Sequence, residues 1–261
     1  MSETIKVEVD ARGIVQLRLI RPDKRNALSA QMIAELTEFA ASAQERRDWR
    51  AVILSGDGAT FCAGGDLDWM RQQMQADRET RMAEARKLAT MLGALNGLPQ
   101  PLIGAIQGSA FGGGVGMACI CDVALATPET LFGLTETRLG IIPATIGPYV
   151  LARMGEGRAR RVFMSAKRFS ALEAVELGIV SRVVSADALM NEAVAEAELY
   201  LSTAPGAVAS AKALARSLSR SLDADRIEES ISALADAWEQ DEAKEGIAAF
   251  FEKRKPHWDH S

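Results

Sequence analysis

Histidine is nearly absent from these 261 residues: His257 and His260 are the only two, and both lie in the last five positions. A His-based triad or a His-ligated zinc site would have to be built from the tail, so neither is expected. Cysteine is scarce as well. Cys62, Cys119 and Cys121 are odd in number and lie mostly among apolar neighbours, as reduced, buried thiols do and a disulfide framework does not. No apolar run reaches the roughly 18 residues of a membrane span. A basic surplus is also missing: 30 Lys and Arg face 35 Asp and Glu, net −5, with the basic residues spread along the chain. That argues against an extended nucleic-acid surface but leaves room for a local patch that meets an anionic substrate. No phosphate loop of the form Gly-x-x-x-x-Gly-Lys-Ser/Thr, no fixed-period repeat and no low-complexity stretch occurs.

What is present is a globular composition, 48% hydrophobic and 25% charged, long enough for one large domain with a substantial core. The start, Met1-Ser2-Glu3-Thr4, is acidic and runs directly into strand-like sequence, which leads to the expectation of a cytoplasmic protein. Ile5–Val9 and Ile14–Leu19 alternate around Asp10-Ala-Arg-Gly13, a hairpin pattern. Ser29 is a candidate N-cap for a helix to about Arg46, and Ala51–Leu54 reads as a buried strand, completing a β-α-β unit. A helix over Arg78 to Leu95, stopped by Gly97 and Pro99, precedes a strand at Leu102–Ile106. A glycine turn, a small apolar segment from Met117 to Cys121 and a strand at Val123–Ala126 repeat the plan. Beyond Glu136 the chain turns helical, with one further strand at Ile179–Val184. Asp187–Leu201, Ala207–Arg220 and Ile227–Phe251, rich in Ala, Leu and Glu, read as a helical C-terminal part.

Two small-residue turns carry the chemistry. Phe111-Gly112-Gly113-Gly114-Val115-Gly116 follows a strand and opens a helix, so its N–H groups can point at a negatively charged ligand. Close packing of helix on strand is an equally good use for such glycines. A dinucleotide fingerprint fails, because its third glycine position holds Cys119. Cys62-Ala63-Gly64-Gly65-Asp66 also follows a strand and can offer a second N–H. Together the two turns match what acyl thioester chemistry needs: two preorganised donors for a carbonyl oxygen that becomes an enolate oxyanion.

Several ordered segments resemble one family, the enoyl-CoA hydratase/isomerase or crotonase superfamily. They are Arg21-Pro-Asp-Lys-Arg-Asn-Ala-Leu28, Phe61 to Leu67, Gly108 to Cys121, Phe132 to Pro143, Ala171 to Gly178 and Glu245-Gly-Ile-Ala-Ala-Phe-Phe-Glu-Lys-Arg-Lys-Pro256. The resemblance implies an α/β fold of stacked β-β-α turns over residues 1–200, carrying the CoA-thioester site. A helical trimerisation part would occupy 201–261, giving a homo-trimer or a dimer of trimers. It implies a coenzyme A thioester as substrate and no separate cofactor or metal. Nucleic acid and membrane are not expected as partners. It further implies that Ala63 and Gly113 supply the oxyanion N–H groups, with Gly64, Gly65, Asp66, Gly112 and Gly116 around the substrate, and that Glu136 moves protons.

One departure from the family pattern matters. Two-glutamate hydratases of the family carry one Glu at the position of Gly116 and a second at that of Glu136, so one carboxylate is missing here. Two subfamilies lack the first Glu: 3,2-enoyl-CoA isomerases, and bacterial 3-methylglutaconyl-CoA hydratase-like enzymes. The second group is the closer match in Asp66-Leu-Asp-Trp-Met70, Ala110 to Met117 and Ile142 to Val150, so hydration or dehydration of a 3-methylglutaconyl-like thioester is expected, with isomerisation the alternative. Lys24, Arg25 and Lys253 are candidates for the CoA phosphates, although solvated loops and helix ends carry such residues anyway. Asp66 is expected to fix its turn. Arg71, Arg81 and Arg86 could meet a substrate carboxylate or form a charged helical face. A non-enzymatic reading, an acyl-CoA-binding or RNA-associated scaffold, stays open because fold alone does not establish activity.

Overall fold

The Asp10 carboxylate accepts the N–H groups of Arg12 and Ile14, and Gly13 adopts φ +83°, which closes the first hairpin. Strands β1 (Ile5–Val9) and β2 (Ile14–Leu19) pair antiparallel across this turn, with Ile5 opposite Leu19 and Val9 opposite Val15. The computed structural model describes residues 2–219 and 223–259; Arg220 and His260, named above, lie outside the described residues. Beyond β2 the sheet is parallel: β3 (Ala51–Gly56), β4 (Leu102–Ile106), β6 (Val123–Ala126) and β9 (Arg182–Val183), in the order β1-β2-β3-β4-β6-β9. All of β4 and nearly all of β3 is buried, as required of parallel strands covered on both faces. A second sheet, β5 (Ser109–Phe111), β7 (Leu131–Gly133) and β8 (Arg168–Ser170), has β7 in the centre. Each repeat of the fold thus sends one strand to the large sheet, the next to the small sheet, and then turns helical. β4, β5 and helix α4 (Gly113–Cys119) make one such repeat.

Helix α1 (Ala30–Glu45) starts where Ser29 Oγ accepts the Met32 N–H, and buries Met32, Ile33, Leu36 and Phe39. It packs with α3 (Arg78–Asn96) over one face of the large sheet. Between them lies α2 (Leu67–Gln75), capped by Asp66, which the sequence pattern did not reveal. The other face of the sheet, Ile14, Ile53, Ile103 and Leu125, is covered by α8 (Leu189–Glu198) through Leu189, Ala193 and Ala197. The middle of the chain adds α5 (Gly147–Met154), α6 (Glu156–Phe163) and α7 (Ala171–Glu176).

The expected strand over Ile179–Val184 shortens to Arg182–Val183. Gly178 at φ +84° ends α7, and the N–H groups of Ile179 and Val180 turn back onto the Ala174 carbonyl. The helical stretch expected from Ile227 to Phe251 is two helices, α10 (Ala224–Glu239) and α11 (Asp241–Glu252), because Gln240 is extended at φ −73°, ψ 150°. The break lets Trp238 and Ile247 enter one apolar cluster with Ile141 and Ala243. α10 packs on α3 through Ile231, Ala85 and Ala89, so this part of the C-terminal region covers its own core. Helix α9 (Pro205–Ser219) buries no residue and reaches the sheet through Lys212, which donates to the Gln100 carbonyl and, at 2.5 Å, to Asp122.

The segment from Arg21 to Leu28 is stapled to the loop after β3. Asn26 is fully buried in a left-handed conformation at φ +52°. Its Nδ2 donates to the carbonyls of Asp57 (2.9 Å) and Thr60 (2.8 Å), and its Oδ1 accepts the Arg21 N–H at 2.9 Å. Asn26→Ala strands two carbonyls and one N–H without partners. The expected cost is about 3 kcal/mol in chemical denaturation, with loss of activity beyond it, because this staple holds the loop on which one of the two turns rests.

Candidate active site

The two glycine-bearing turns are lashed together by the backbone. The Cys62 N–H donates to the Ser109 carbonyl (3.1 Å) and the Cys62 carbonyl accepts the Phe111 N–H (3.0 Å), a parallel bridge between the turns' lead-in segments. In the first turn the Ala63 N–H donates to the Arg25 carbonyl at 3.0 Å, Leu28 N–H donates to Gly64, and Asp66 N–H donates to Leu28. This corrects the expected role of Ala63: its N–H is already used, since it faces the 25–28 segment. Gly65 sits one pairing position on, bridged to Leu28, exposed, with its own N–H unpaired among the described residues. The open N–H of this turn is therefore that of Gly65. No local signal in the sequence picks Gly65 over Ala63; the pairing register of the turn against Leu28 decides it.

In the second turn, Gly112 takes φ +48°, its N–H donates to Gly133, and its carbonyl accepts Val115 and Gly116. The Gly113 N–H has no partner among the described residues and Gly113 is partly accessible. Gly113 and Gly65 thus present open N–H groups from adjoining turns. A Cβ on Gly64 would lie 3.0 Å from the Phe111 carbonyl oxygen and 3.8 Å from the Gly112 Cα, so the two turns touch with no side chain between them.

Asp66 does what was expected of a turn residue. Its Oδ1 caps α2 through the N–H groups of Asp68 (2.9 Å) and Trp69 (3.4 Å), and its Oδ2 takes the Arg21 guanidinium at 2.9 Å. Burial alone would raise its pKa, but Arg21 and those N–H groups outweigh burial and hold the carboxyl below its usual range. Arg21 also donates to the Ala27 carbonyl, so one guanidinium ties the first turn to the 21–28 loop.

Glu136 opens a 3₁₀ turn (Glu136–Leu139) after β7. Its Oε1 lies 3.0 Å from where a Gly112 Cβ would be, so the carboxylate rests over the second turn. Its Oε2 is buried without a hydrogen-bond partner. Burial pushes the carboxyl up to about 7, opposed by the N–H groups of Glu136 and Thr135. A carboxyl with that value can accept and return protons near neutral pH, and an unpaired buried oxygen is a place for a substrate proton to go.

The place of the missing carboxylate is filled. Gly116 is buried on α4, and a Cβ there would lie 2.7 Å from Ile146 Cγ2, 3.0 Å from Ile146 Cβ and 3.7 Å from Leu92 Cδ1. The surroundings are hydrocarbon. Lys24 and Arg25 stand exposed on and beside a 3₁₀ turn (Pro22–Lys24), outside any ion pair among the described residues, and the Arg25 backbone touches the first turn through Ala63. Lys253 is exposed at the C-cap of α11. Arg81 donates to the Gln73 and Met74 carbonyls and Arg86 pairs with Glu228, so both have structural partners; Arg71 pairs with Asp68 and lies over the Phe251 ring. The three cysteines are buried free thiols pushed up to about 12 by burial, which leaves them unreactive.

Comparison with known proteins agrees with this geometry. The family model described as Enoyl-CoA hydratase/isomerase matches residues 10–261. The Mycobacterium bovis protein named "Probable enoyl-CoA hydratase echA8" is 36% identical over 261 residues, covering 99% of this chain and 98% of its own. A mevalonyl-coenzyme A hydratase, sidH, of Aspergillus fumigatus is 33% identical over 94% of this chain and 91% of its own. The crystal structure of an enoyl-CoA hydratase from Shewanella pealeana superposes with a TM-score of 0.81 at 36% identity, over 98% of this chain and 96% of that one. The chain belongs to the enoyl-CoA hydratase/isomerase family. It is an enzyme of that class, acting on enoyl-CoA thioesters, and the scaffold reading loses its ground.

The contact at Gly116 is testable by itself. Gly116→Ala overpacks the core against Ile146, with an expected cost of about 1–3 kcal/mol. Combining it with Ile146→Ala should cost less than the sum of the single changes. Additive losses in urea melts would show that Ile146 does not set the limit there.

Proposed function

We propose that the protein is a single-carboxylate enoyl-CoA hydratase whose base and acid are both Glu136, with the thioester oxygen held by the N–H groups of Gly65 and Gly113. The observation that carries this reading is the buried, unpartnered Oε2 of Glu136, on a carboxylate whose Oε1 lies over the turn that presents one of the two open N–H groups. Polarised by two donors, the thioester carbonyl makes the β-carbon electrophilic. Glu136 takes a proton from the attacking water and returns one to the α-carbon of the enolate. A 3-methylglutaconyl-like acyl group is the preferred substrate, supported by the resemblance of residues 66–70, 110–117 and 142–150 and by the branched acyl group in the name of the Aspergillus relative. Lys24, Arg25 and Lys253 are assigned to the phosphates of coenzyme A, and the cytoplasm is the proposed location.

The hydrocarbon filling at Gly116, Ile146 and Leu92 favours one second reading, a 3,2-enoyl-CoA isomerase in which Glu136 shuttles a proton between the α and γ carbons. Water has no polar group to hold it on that wall. Product analysis separates the two. A hydratase run in deuterium oxide forms an alcohol with deuterium at the α-carbon, whereas an isomerase moves the double bond and forms no alcohol. Glu136→Gln should lower turnover by about two to four powers of ten with substrate binding kept. Below pH 7 the carboxyl binds a proton and cannot act as base, so kcat/KM should fall about tenfold per pH unit on the acid side. Full activity in Glu136→Gln, or a flat acid limb, would remove Glu136 from the mechanism.

The assembly proposed is a homo-trimer or a dimer of trimers. Leu131, Met164, Leu172 and Val175 are exposed large apolar residues on and around β7 and α7, and Leu214 and Leu218 are exposed on α9. Exposed apolar groups in such number mark surfaces that another chain covers. Light scattering should give a mass three or six times that of one chain, and a monomer at dilute concentration would count against the assembly.

A further inference from the structure

Apart from Lys253, the segment Glu245 to Pro256 contributes no group to the site above, yet its helix lies against the turn that carries Glu136. That turn has little to hold it in place. No residue of the turn is buried as a whole, Glu136 burying only its carboxyl end; Thr135 makes no side-chain cap, and the turn's side-chain tether is Thr137 Oγ1 donating to the Met164 carbonyl at 3.2 Å in an exposed setting. α11 supplies what the turn lacks through two reciprocal backbone approaches. A Cβ on Gly246, a buried residue of α11, would lie 2.5 Å from the carbonyl carbon of Leu139 and 2.6 Å from its oxygen. A Cβ on Gly140, at φ +70°, would lie 2.2 Å from the Glu242 carbonyl oxygen. Next to these contacts, Ile247 and Ala243 share an apolar cluster with Leu139 and Ile141. The turn is thus gripped at its C-terminal end by bare backbone on both sides.

We infer that α11 is a clamp on the catalytic turn and that Gly246 is a positioning residue, acting through the place it gives Glu136 rather than by touching substrate. The inference rests on the assignment of Glu136 as the proton carrier. Were Gly246 only a helix residue, Gly246→Ala would strengthen α11, because alanine is the better helix former. The clamp requires the opposite: the added methyl meets the Leu139 carbonyl, and either the turn or the helix gives way. Displacement of a reacting group by about 1 Å costs on the order of a hundredfold in rate.

The groups that could disturb the Glu136 carboxyl electrostatically are few. Its own turn carries Arg138, which is exposed. On α11, Lys244 pairs with Asp241, Glu245 pairs with Arg254, and Glu242 is exposed. None of them contributes to the shift of Glu136, whose leading cause is burial. A loosened clamp should therefore lower the acid limb of the pH profile by letting water reach the carboxyl.

The test is a double-mutant cycle on the full-length enzyme with an enoyl-CoA substrate, run below the melting temperature of every variant. Gly246→Ala should lower kcat by about ten- to a hundredfold with KM within about threefold, and should move the acid midpoint below that of the parent. In the Glu136→Gln background the same change should cost almost nothing further, because the group it positions is already disabled. Leu189→Ala, on the far face of the sheet, serves as the destabilised control and should keep parental kcat. If Gly246→Ala does not fold, Ile247→Ala enters the same cycle, since it loosens the clamp without a backbone collision. A parental kcat and acid midpoint in the clamp variant, or a loss that persists undiminished on top of Glu136→Gln, overturns the clamp while leaving Glu136 as the base. A fully active Glu136→Gln enzyme overturns the assignment of the base and the clamp with it.

Discussion

Two backbone hydrogen bonds, Cys62 N–H to Ser109 and Phe111 N–H to the Cys62 carbonyl, hold the turns after β3 and β5 at one fixed separation. Everything the site does depends on that spacing. An oxyanion is stabilised by donors that are already aimed when charge develops, and donors on separate loops stay aimed only if something joins the loops. Here the joint is main chain, so it does not depend on any rotamer. The supports around it follow the same logic: Arg25 and Leu28 consume the N–H and carbonyl groups of the first turn that would otherwise face solvent, and Gly133 consumes the Gly112 N–H. Among the described residues, the accessible N–H groups of the two turns left without a partner are those of Gly65 and Gly113.

Electrostatics and packing then act on one carboxylate. Glu136 has no charged partner, and its raised pKa comes from burial. In a site with two carboxylates, each would influence the other's ionisation, since like charges at close range disfavour one another. With hydrocarbon at Gly116 the remaining group titrates by itself, and its proton affinity is set by how completely the neighbouring backbone keeps water away. With Glu136 as the proposed base, packing around it, including packing by the C-terminal helix, becomes a control on its proton affinity.

Much of this was legible in the sequence. Local rules found the hairpin, the Ser29 cap of α1 and the buried strands β4 and β6, because each is specified by its own residues: Asp10 and Gly13 for the turn, continuous apolar runs for strands covered on both faces. The glycine turns were legible as a pattern, and Glu136 stood out only through the family resemblance. What escaped were features decided by contacts between distant segments. Short strands β5, β7 and β8 have only three residues each and carry no periodicity to detect. The choice between Ala63 and Gly65 as donor hinges on the register against Leu28, which no local rule supplies. Nor could the sequence reveal that Ile146 fills the space beside Gly116, or that a helix more than a hundred positions away grips the turn at Glu136.

The glycine triplet on β5–α4 has a consequence for how such an enzyme can change. Each of its three missing side chains is blocked by a different part of the molecule: at Gly112 by the Glu136 carboxylate (3.0 Å), at Gly113 by Leu28 Cδ1 (2.6 Å), and at Gly114 by the Cys62 carbonyl (2.5 Å). A Cβ at Gly114 meets main chain, and one at Gly112 also needs a left-handed backbone at φ +48°, so these two positions resist replacement more than Gly113, where the obstacle is the end of the Leu28 side chain. The wall beside Gly116 is set by the Ile146 and Leu92 side chains, which can be exchanged. The centre of the site is thus its least replaceable part, and the wall beside Gly116 its most replaceable.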